Sequence, residues 1–457
     1  MSRDALFELE NVSKHFIDND TLLNKLHPNR SHTSVRAVDG VSLTVHDGEI
    51  LGLVGESGCG KSTLSRVALR LLEPTGGDVY YKDENITELG SRQLTEFRSE
   101  AQMIFQDPFA SLNPRYTVAK TLTEPMKVHG IGDSKAERRA KAADLIERVG
   151  LSAQFLDRSP HEFSGGQRQR ISIGRALAVE PQLVIADEPV SALDVSVQAQ
   201  ILNLLDGLQE EMGLSMLFIS HDLSVVRRIC DRVAVMYLGE IVEVAPTREL
   251  FRNPKHPYTQ ALLSSVPIPD PTVEREAIKL VGDVPTPIDP PSGCRFHPRC
   301  PKVIPPDDWS GTHGAWRALL QFKTRLKDEE VEPKAVREQL EAKQDSVSDE
   351  DVADAIYREN ILESEVADAD SKLPEDVDTA VTDAIDALLQ GDRKRAVGQL
   401  EAYESVCETQ EPAEVERSAT ARVACHLEDD QVTVPTAGTP GTAKDDVAVG
   451  TASESHD

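Results

Sequence analysis

Short apolar segments alternate with amphipathic segments over roughly the first 265 residues of the chain. Four apolar segments are bounded by polar or turn-forming residues, namely 49–54 (EILGLV), 101–105 (AQMIF), 182–186 (QLVIA) and 215–219 (SMLFI). Segments of this kind are typical of parallel strands that are buried on both faces. Helical patterns lie between them, for example in residues 62–72 and 135–150. The alternation predicts an α/β fold with a mostly parallel sheet.

Other parts of the chain depart from this alternation. Residues 19–35 are polar and predict an insertion between two early strands. Residues 267–306 hold 11 of the 27 prolines, which excludes a helix or a central strand and predicts an irregular module. Farther on, 381–390 and 393–406 have helical periodicity on either side of Gly391 and predict a small helical pair.

The charge distribution sets the last third of the chain apart. The 457 residues have a net charge of −29, and residues 301–457 alone carry 37 acidic and 16 basic side chains. This acidity argues against a nucleic-acid partner, because phosphate backbones attract basic surfaces. A solvating surface is the favoured interpretation, and an interaction tail for a basic partner is the alternative. Residues 432–457 are rich in Thr, Ala, Gly, Ser and Asp, which predicts disorder.

The cysteines and the hydropathy pattern indicate the compartment. The six cysteines are scattered without the spacing of a disulfide framework, which favours a reducing cytosol. The N-terminal segment lacks a basic region followed by an apolar one, and no stretch approaches the length of a membrane-spanning helix. Any membrane association is therefore expected to be peripheral and to depend on a partner subunit.

The most specific motif is a phosphate-binding loop that follows the first apolar segment. Residues 55–62 read GESGCGKS and fit GxxxxGK[ST], between a predicted strand and a predicted helix. Glycines let backbone N–H groups surround phosphate oxygens, and the helix N-terminus adds partial positive charge. We expect Lys61 to reach the β- and γ-phosphates of ATP and Ser62 to ligate Mg²⁺. The phosphate-binding candidates are Gly55, Glu56, Ser57, Gly58, Cys59, Gly60, Lys61, Ser62 and Thr63.

Two adjacent acids, Asp187 and Glu188, follow the apolar residues LVIA. Burying two carboxylates there is costly unless a cation or a water molecule needs them. Asp187 is expected to hold the Mg²⁺ shell, and Glu188 is expected to polarise the water that attacks the γ-phosphate. The pair alone is a weak signal with a structural role as its alternative, but a preceding phosphate loop in the same fold strengthens it.

A second polar loop opens another helical pattern. It reads Ser164-Gly165-Gly166-Gln167, and a loop of this kind at a helix N-terminus is an anion site. Because residues 55–62 already serve the chain's own nucleotide, we expect this loop to read the nucleotide of a partner chain. The expectation implies a dimer with ATP sandwiched between subunits. A simple helix cap by Ser164 is the alternative.

As a set, these motifs resemble the nucleotide-binding domains of ABC transporters. The motifs occur in the family's order: Walker A (55–62), the Q-loop residue Gln106, the signature SGGQ (164–167), Walker B (183–188), SALD (191–194) and SHD (220–222). The resemblance covers residues 6 to about 265, and Phe163 replaces the leucine that usually precedes SGGQ. It implies an ATP-hydrolysing protein with an ABC-type P-loop fold. That fold has a RecA-like core, a helical subdomain (here about 107–165) and an antiparallel β subdomain.

The resemblance also implies roles for single residues. His221 would contact the γ-phosphate and hold the attacking water, and Gln106 would sense the γ-phosphate and Mg²⁺ as a further metal candidate. Asp194 would lie at the dimer seam, and Phe16 or His15 stands where the family places an adenine-stacking aromatic residue. Taken singly, each has a structural alternative, since a lone histidine after a strand is usually structural. The predicted catalytic residues are Lys61, Gln106, Glu188 and His221.

Several segments are similar to the ATPase subunits of oligopeptide and dipeptide importers in particular. They are 37–64, 159–177, 218–243, 253–271 and 282–301. This resemblance implies import of peptides or related small solutes, with nickel and sugars as alternatives. It implies a complex with two transmembrane permease subunits, a second ATPase subunit and an extracytoplasmic solute-binding protein. The chain would then lie peripherally on the cytoplasmic face of the cell membrane.

Three regions are expected along the chain. Residues 1–265 would form the ABC ATPase domain, 266–306 the C-terminal extension of the importer branch, and 307–457 an acidic helical and partly disordered tail. Segment 123–130 (TEPMKVHG), within the helical subdomain, is our candidate for contact with the transmembrane subunits.

Two rival functions are disfavoured. A soluble ABC ATPase that acts on ribosomes or in DNA repair would carry two cassettes or a long coiled coil, whereas this chain has one Walker A motif and no heptad run. A regulatory subunit with a degenerate site would lack catalytic residues, whereas Glu188, His221 and the SGGQ loop are intact.

The cysteines of the extension raise the question of a cofactor. Some members of this branch bind an iron–sulfur cluster through four cysteines there. This chain offers Cys294 and Cys300, and residues 302–316 lack the remaining pair. His297 and His313 could substitute, but no pattern indicates that they do. We therefore expect no cluster and an inert pair of thiols in a Pro-rich loop.

Overall fold

The computed structural model describes residues 4–17, 34–191, 193–266, 277–344, 346–366 and 372–432. Their contacts divide the chain into two compact units. The first unit comprises Met1–Pro291 and Pro412–Glu428, and the second comprises Ser292–Glu411 and Asp429–Asp457. The first unit is thus discontinuous in sequence, since the chain leaves it near residue 291 and returns to it near residue 412.

The described residues form two sheets. The strands are β1 (Ala5–Ile17), β2 (Ser34–His46), β3 (Ile50–Val54), β4 (Gly76–Tyr81), β5 (Glu84–Asn85), β6 (Ala101–Ile104), β7 (Leu183–Asp187), β8 (Ser215–Ile219), β9 (Arg232–Tyr237), β10 (Glu240–Pro246), β11 (Glu414–Ser418) and β12 (Ala421–Ala424). The four short apolar segments of the sequence became β3, β6, β7 and β8, as predicted. Every residue of β3, β7 and β8 is buried, which explains why these strands are apolar except at Asp187, the last residue of β7, and Ser215, the first of β8.

The larger sheet has the order β11-β12-β10-β9-β3-β8-β7-β6 among the described strands. Strands β9, β3, β8, β7 and β6 pair in parallel, and β10, β12 and β11 continue the sheet in antiparallel pairs. The smaller sheet, β2-β1-β4-β5, is antiparallel. The prediction of an α/β fold with a parallel core and an antiparallel β subdomain is confirmed.

Ten helices are described in the first unit. They are α1 (Lys61–Ala68), α2 (Ser91–Glu100), α3 (Pro108–Ser111), α4 (Val118–Val128), α5 (Lys135–Arg148), α6 (Gly165–Leu177), α7 (Val195–Met212), α8 (Leu223–Ile229), α9 (Thr247–Arg252) and α10 (Pro257–Ser264). Helices α3, α4 and α5 lie in the segment expected to be the helical subdomain. Thr117 and Ser134 cap α4 and α5 by accepting backbone N–H groups, so both helices begin at sequence-encoded caps.

The second unit is helical in its described part. Its helices are α11 (His313–Lys327), α12 (Pro333–Glu341), α13 (Asp349–Tyr357), α14 (Glu375–Leu389), α15 (Arg393–Leu400) and α16 (Val406–Thr409). Trp316 is fully buried in α11, and the Nζ atom of buried Lys323 lies 2.9 Å from a carboxylate oxygen of Glu408. A buried ion pair of this kind is tolerated only when both partners are present, so it ties α11 to α16.

The predicted helical pair is confirmed as α14 and α15. Gly391 lies between them with a φ of 81°, a left-handed conformation that glycine adopts without steric cost. Helix α15 ends at Leu400 rather than continuing to residue 406. The described residues of the Pro-rich segment, 277–306, contain a single short 3₁₀ turn at His297–Arg299 and no strand, in agreement with an irregular module.

The antiparallel hairpin of β11 and β12 was missed by the sequence analysis. It lies within the segment that was expected to be a tail, yet β12 pairs with β10 of the first unit, with Val423 opposite Glu243. Strand β11 is exposed at nearly every position because it lies at the edge of the sheet, so its sequence, EVERS, lacks the apolar alternation of a half-buried strand.

Two predictions lie largely outside the described residues. Of the predicted polar insertion at 19–35, only Ser34 and Val35 are among the described residues, and both belong to β2. Of the C-terminal segment 432–457, only Val432 is among them. Within the described part of the chain, no helix is long and apolar enough to cross a membrane.

The position of Val423 leads to a prediction about stability. Its side chain is buried between β10 and β11, so Val423→Ala should lower the free energy of unfolding of the first unit by about 1–3 kcal/mol. Hydrogen–deuterium exchange of peptides from the first unit, followed as a function of denaturant, measures this change, because both tryptophans, Trp309 and Trp316, lie in the second unit. Glu416→Ala, on the exposed face of the same hairpin, is the matched control and should stay within about 0.5 kcal/mol. Equal effects of the two substitutions would contradict the packing of β12 on the sheet.

Candidate active site

The carboxyl ends of four neighbouring parallel strands meet at one edge of the larger sheet. The segment after β3 is the phosphate loop, the segment after β8 holds His221, β7 ends at Asp187 with Glu188 next, and Gln106 follows β6. In parallel sheets, ligand sites form at this edge because loops from adjacent strands converge there. The topology therefore brings together side chains that lie more than 100 residues apart in sequence.

Backbone contacts fix the shape of the phosphate loop. A Cβ atom added to Gly55 would lie 2.1 Å from the carbonyl oxygen of Met236, and one added to Gly60 would lie 2.0 Å from that of Ala37. Gly60 also has a φ of 110° at the start of α1, where no side chain caps the helix. The first-turn N–H groups of α1 are thus left for an anion, as the motif predicts.

Lys61 lies inside the loop and is 6% exposed. Its Nζ atom donates to the carbonyl oxygens of Gly55 and Glu56, both at 2.8 Å, and lies 3.6 Å from the Sγ atom of Cys59. The loop therefore wraps the ammonium group with its own backbone carbonyls. This geometry holds the positive charge at the centre of the loop.

The remaining loop residues differ in exposure. Ser57 and Gly58 form the exposed tip, whereas Cys59 is buried and Glu56 and Thr63 are partly buried. Burial raises the pKa of the Cys59 thiol, and the charge of nearby Lys61 opposes that shift. The thiol therefore stays protonated and acts as a small apolar group that fills the base of the loop.

Ser62 and Asp187 form an oxygen pair at the start of α1. The Ser62 hydroxyl donates to a carboxylate oxygen of Asp187 at 3.1 Å, and Asp187 is 3% exposed. Burial raises the pKa of Asp187, while the hydrogen bond from Ser62 opposes the shift. A hydroxyl beside a carboxylate is the type of donor set that suits a hard divalent cation such as Mg²⁺, and a cation would offset the desolvation of the acid.

Glu188 is the meeting point of the predicted catalytic residues. One of its carboxylate oxygens accepts a hydrogen bond from Nε2 of Gln106 at 2.8 Å and lies 3.2 Å from Nδ1 of His221. The Glu188 N–H donates to the carbonyl of Ile219, and its φ is 46°, a strained value for a residue other than glycine. The structure thus brings Gln106, Glu188 and His221 together, and their catalytic roles stay predictions.

The two candidates for adenine stacking differ in their surroundings. Phe16, near the end of β1, is 40% exposed, and Nζ of Lys14 lies 5.3 Å from its ring centroid. The ring of His15 is engaged by Asp39, with 2.8 Å between Nε2 and Oδ1. Phe16 is therefore the better placed of the two to present a ring face to a ligand.

The SGGQ loop caps α6 and lies beside the segment that starts α7. Ser164 and Gln167 form a reciprocal capping pair, so the capping role that the sequence left open is realised. A Cβ atom on Gly166 would lie 2.4 Å from Cγ1 of Val197. Asp194 caps α7, and its hydrogen bond from Ser196 lowers the pKa of its carboxyl. Ser164 remains exposed at the surface.

The sequence analysis missed a contact that supports the phosphate loop from outside. The hydroxyl oxygen of Tyr258, in α10, accepts a hydrogen bond from the Glu56 N–H at 2.8 Å. The segment KHPYTQ that contains Tyr258 served only as a marker of the importer branch. Its sequence offers no local signal of this role, because the contact spans 202 residues.

The cysteines of the extension have a new neighbour. The Cys294 N–H donates to the carbonyl of Cys407 at 2.9 Å, so the backbone of a third cysteine lies beside that of Cys294. No group of three or more metal-ligating side chains is gathered anywhere in the described residues. The interpretation of Cys294 and Cys300 as inert thiols stays a prediction.

A phosphate loop, a buried hydroxyl–carboxylate pair and a glutamate held by glutamine and histidine define a P-loop ATPase. Comparison with known proteins identifies its family. Residues 38–191 match the family described as ABC transporter, and 242–305 match the oligopeptide/dipeptide transporter C-terminal region. Residues 313–420 match a domain of unknown function, DUF8228.

Curated relatives agree with these matches. The chain is 52% identical over 307 residues to the oligopeptide transport ATP-binding protein AppF of Bacillus subtilis (strain 168), covering 66% of this chain and 92% of AppF. It is 55% identical over 274 residues to the ATP-binding protein YkfD of the same organism, covering 60% of this chain and 83% of YkfD. The chain therefore belongs to the ATP-binding proteins of ABC transporters, in the branch with the oligopeptide/dipeptide C-terminal region. It is an ABC-type ATPase.

The contacts of Glu188 generate a prediction about turnover. In Glu188→Gln the side chain keeps its size and its reach to Gln106 and His221 but loses the negative charge that polarises water. We expect phosphate release to fall by about 10²–10⁴-fold, with ATP binding retained. Release is measured under steady-state conditions, and binding is measured with a fluorescent ATP analogue. Unchanged phosphate release would exclude Glu188 as the general base.

Proposed function

We propose that this chain hydrolyses ATP to power the import of peptides or related small solutes, as one of two ATPase subunits bound to a pair of transmembrane permeases. The observation that carries the proposal is the convergence of Gln106 and His221 on the Glu188 carboxylate, beside the Ser62–Asp187 pair. These are the groups that phosphoryl transfer from ATP to water requires, assembled in a member of a transporter family.

Binding of ATP uses the phosphate loop and β1. The N–H groups of residues 55–62 and of the first turn of α1 would surround the phosphates. Lys61, held by the carbonyls of Gly55 and Glu56, would direct its remaining N–H toward the β- and γ-phosphates. Phe16 would stack on the adenine. Ser62, Asp187 and Gln106 would hold Mg²⁺, which when bound neutralises charge on the β- and γ-phosphate oxygens.

Hydrolysis depends on positioning more than on covalent chemistry. The Glu188 carboxylate orients a water molecule and accepts its proton as the oxygen attacks the γ-phosphorus. The bond between that phosphorus and the β–γ bridging oxygen breaks, so that ADP and phosphate are the products. Gln106 and His221, both in contact with Glu188, fix the carboxylate from two sides and reach the same water or the γ-phosphate. The strained backbone of Glu188 turns the side chain away from β7 and toward the site.

The SGGQ loop and Asp194 supply the argument for a dimer. The chain's own phosphates are served by residues 55–62, so the helix N-terminus at Ser164 is a second anion site with an exposed serine. In a head-to-tail pair, residues 164–167 of one subunit would close over the γ-phosphate held by the other, with Asp194 at the seam. ATP would then contact both subunits, and hydrolysis would require closure of the dimer around it.

A cavity of about 520 Å³ next to α4 supports docking of the permeases. Glu124, Pro125, Val128 and His129, from the predicted contact segment 123–130, contribute to its lining. Val128 is 66% exposed, which is unusual for a large apolar side chain. We infer that a cytoplasmic segment of each permease docks on this surface.

The relatives and the C-terminal region favour peptides as the solute. AppF is named for oligopeptide transport, and the matched region at 242–305 is that of oligopeptide/dipeptide transporters. Under this proposal an extracytoplasmic binding protein delivers the solute, and the chain works on the cytoplasmic face of the membrane. Import of nickel or sugars, and a soluble role without transport, are the alternatives that the experiment must separate.

The deciding experiment is reconstitution of the chain with its second ATPase subunit and both permeases in liposomes, with the binding protein added outside. We expect uptake of labelled oligopeptides that depends on MgATP inside and is abolished by Glu188→Gln. Uptake of Ni²⁺ or of a sugar, without uptake of peptides, would show that peptides are not the solute class. ATP hydrolysis without stable association with the permeases would favour a soluble ABC ATPase.

The cavity beside α4 yields a separate prediction. Val128→Asp places a charge on the proposed docking surface, and we expect it to abolish co-purification with the permeases and solute uptake. ATP binding by the isolated chain should stay unchanged, because Val128 is not among the nucleotide-site residues. Leu362→Asp, at a large exposed apolar residue of the second unit, is the control and should leave uptake intact. Normal uptake by Val128→Asp would show that the permeases dock elsewhere.

A further inference from the structure

The peptide group between Gly55 and Glu56 is held from both sides. Its carbonyl, from Gly55, accepts a hydrogen bond from Nζ of Lys61 at 2.8 Å inside the loop. Its N–H, from Glu56, donates to the hydroxyl oxygen of Tyr258 at 2.8 Å outside the loop. Because a trans peptide is planar and directs its C=O and N–H to opposite sides, fixing one of these groups fixes the other.

Tyr258 is itself held rigidly. Its side chain is 0% exposed, and its ring centroid lies 4.6 Å from that of Tyr237, at the end of β9. Burial raises the pKa of Tyr258, so the hydroxyl is neutral throughout the physiological range. The preceding residue of β9, Met236, supplies the carbonyl against which Gly55 packs. Tyr258 and Met236 of β9 therefore contact adjacent residues of the phosphate loop, Glu56 and Gly55.

A buried polar chain connects Tyr258 to strand β10. The Tyr258 N–H donates to Nδ1 of His256 at 3.0 Å, and burial lowers the pKa of His256 to about 3, so its ring is neutral and can accept. The N–H groups of Lys255 and His256 donate to the Glu243 carboxylate at 2.8 and 2.9 Å. We call Glu243, His256 and Tyr258 the loop brace. It fixes the start of α10, and hence the Tyr258 hydroxyl, relative to the sheet.

The loop brace lies outside the residues that match the general ABC family and inside those that match the oligopeptide/dipeptide C-terminal region. The phosphate loop thus receives a hydrogen bond from a segment that follows the ATPase motifs in sequence. Gly55 adopts several backbone conformations at little cost, so its own conformational preference does not select this orientation of the Gly55–Glu56 peptide.

We propose that Tyr258 is a positioning residue for nucleotide binding: its hydroxyl holds the Gly55–Glu56 peptide in the orientation that keeps Lys61 at the centre of the phosphate loop. Without the hydroxyl, the peptide is free to rotate, its carbonyl leaves Lys61, and the loop must reorder before it binds phosphates. The proposal rests on the ATP-binding role given above and adds to that site a residue from the matched oligopeptide/dipeptide C-terminal region, 242–305.

Tyr258→Phe tests the proposal, because it removes the hydroxyl and keeps the buried ring. Equilibrium binding of MgATP is measured on the full chain in a Glu188→Gln background, so that turnover does not interfere. We expect the Kd for ATP to rise about tenfold, the factor that corresponds to one lost hydrogen bond. In the assembled transporter with Glu188 restored, KM for ATP should rise by a similar factor, and kcat should change less than about twofold.

Tyr81→Phe is the matched control. Tyr81 is also buried, and its hydroxyl donates to the Glu100 carboxylate at 3.0 Å, away from the loop. It should lower the melting temperature as much as Tyr258→Phe does without changing the Kd for ATP. Equal Kd values for Tyr258→Phe and its parent would overturn the proposal, as would an equal rise in both tyrosine variants.

Substitution of His256 extends the test to the loop brace. His256→Asn keeps a side-chain acceptor at the start of α10, whereas His256→Leu removes it. We expect His256→Asn to bind ATP nearly as the parent does and His256→Leu to resemble Tyr258→Phe. A parent protein that fails to bind ATP would instead refute the proposed function, so the two failures are distinguishable.

Discussion

The parallel pairing of β3, β8, β7 and β6 is the constraint on which the rest of the site depends. Each strand is short and almost entirely buried, and burial of one large aliphatic side chain contributes about 1.5–3 kcal/mol. Because the strands run in the same direction, their polar ends are forced to one edge. The site is therefore a consequence of core packing, and its side chains need no long-range attraction of their own to meet.

Close backbone contacts restrict this edge further. The carbonyls of Met236 and Ala37 approach Gly55 and Gly60 so closely that no side chain fits, which restricts both positions of the phosphate loop to glycine. Strain at Glu188 has a related origin, since its N–H is tied to Ile219 while its carboxylate faces Gln106 and His221. Left-handed backbone at a non-glycine residue costs roughly 1–3 kcal/mol, a cost that the surrounding sheet offsets.

Much of this arrangement was predictable from the sequence. The apolar segments identified β3, β6, β7 and β8, and the local motifs at the ends of β3 and β7 pointed to Lys61, Asp187 and Glu188. Gln106 and His221 became candidates only through the resemblance to ABC transporters, because a single glutamine or histidine after a strand is no signal on its own. The hairpin of β11 and β12 was not predictable, since an edge strand such as EVERS carries no apolar alternation. Tyr258 was missed for another reason: a single hydroxyl acting across 202 residues leaves no periodic or local pattern.

The return of the chain to the first unit at β12 has a consequence for how the protein is made. Strand β10 ends at Pro246, and its partner β12 begins at Ala421, after residues 292–411 of the helical unit have been synthesised. At ribosomal rates, that interval lasts roughly 10–35 seconds, during which the nascent ATPase sheet presents an unpaired edge. The number of residues in the helical unit therefore sets how long the edge of β10 stays exposed to other newly made chains.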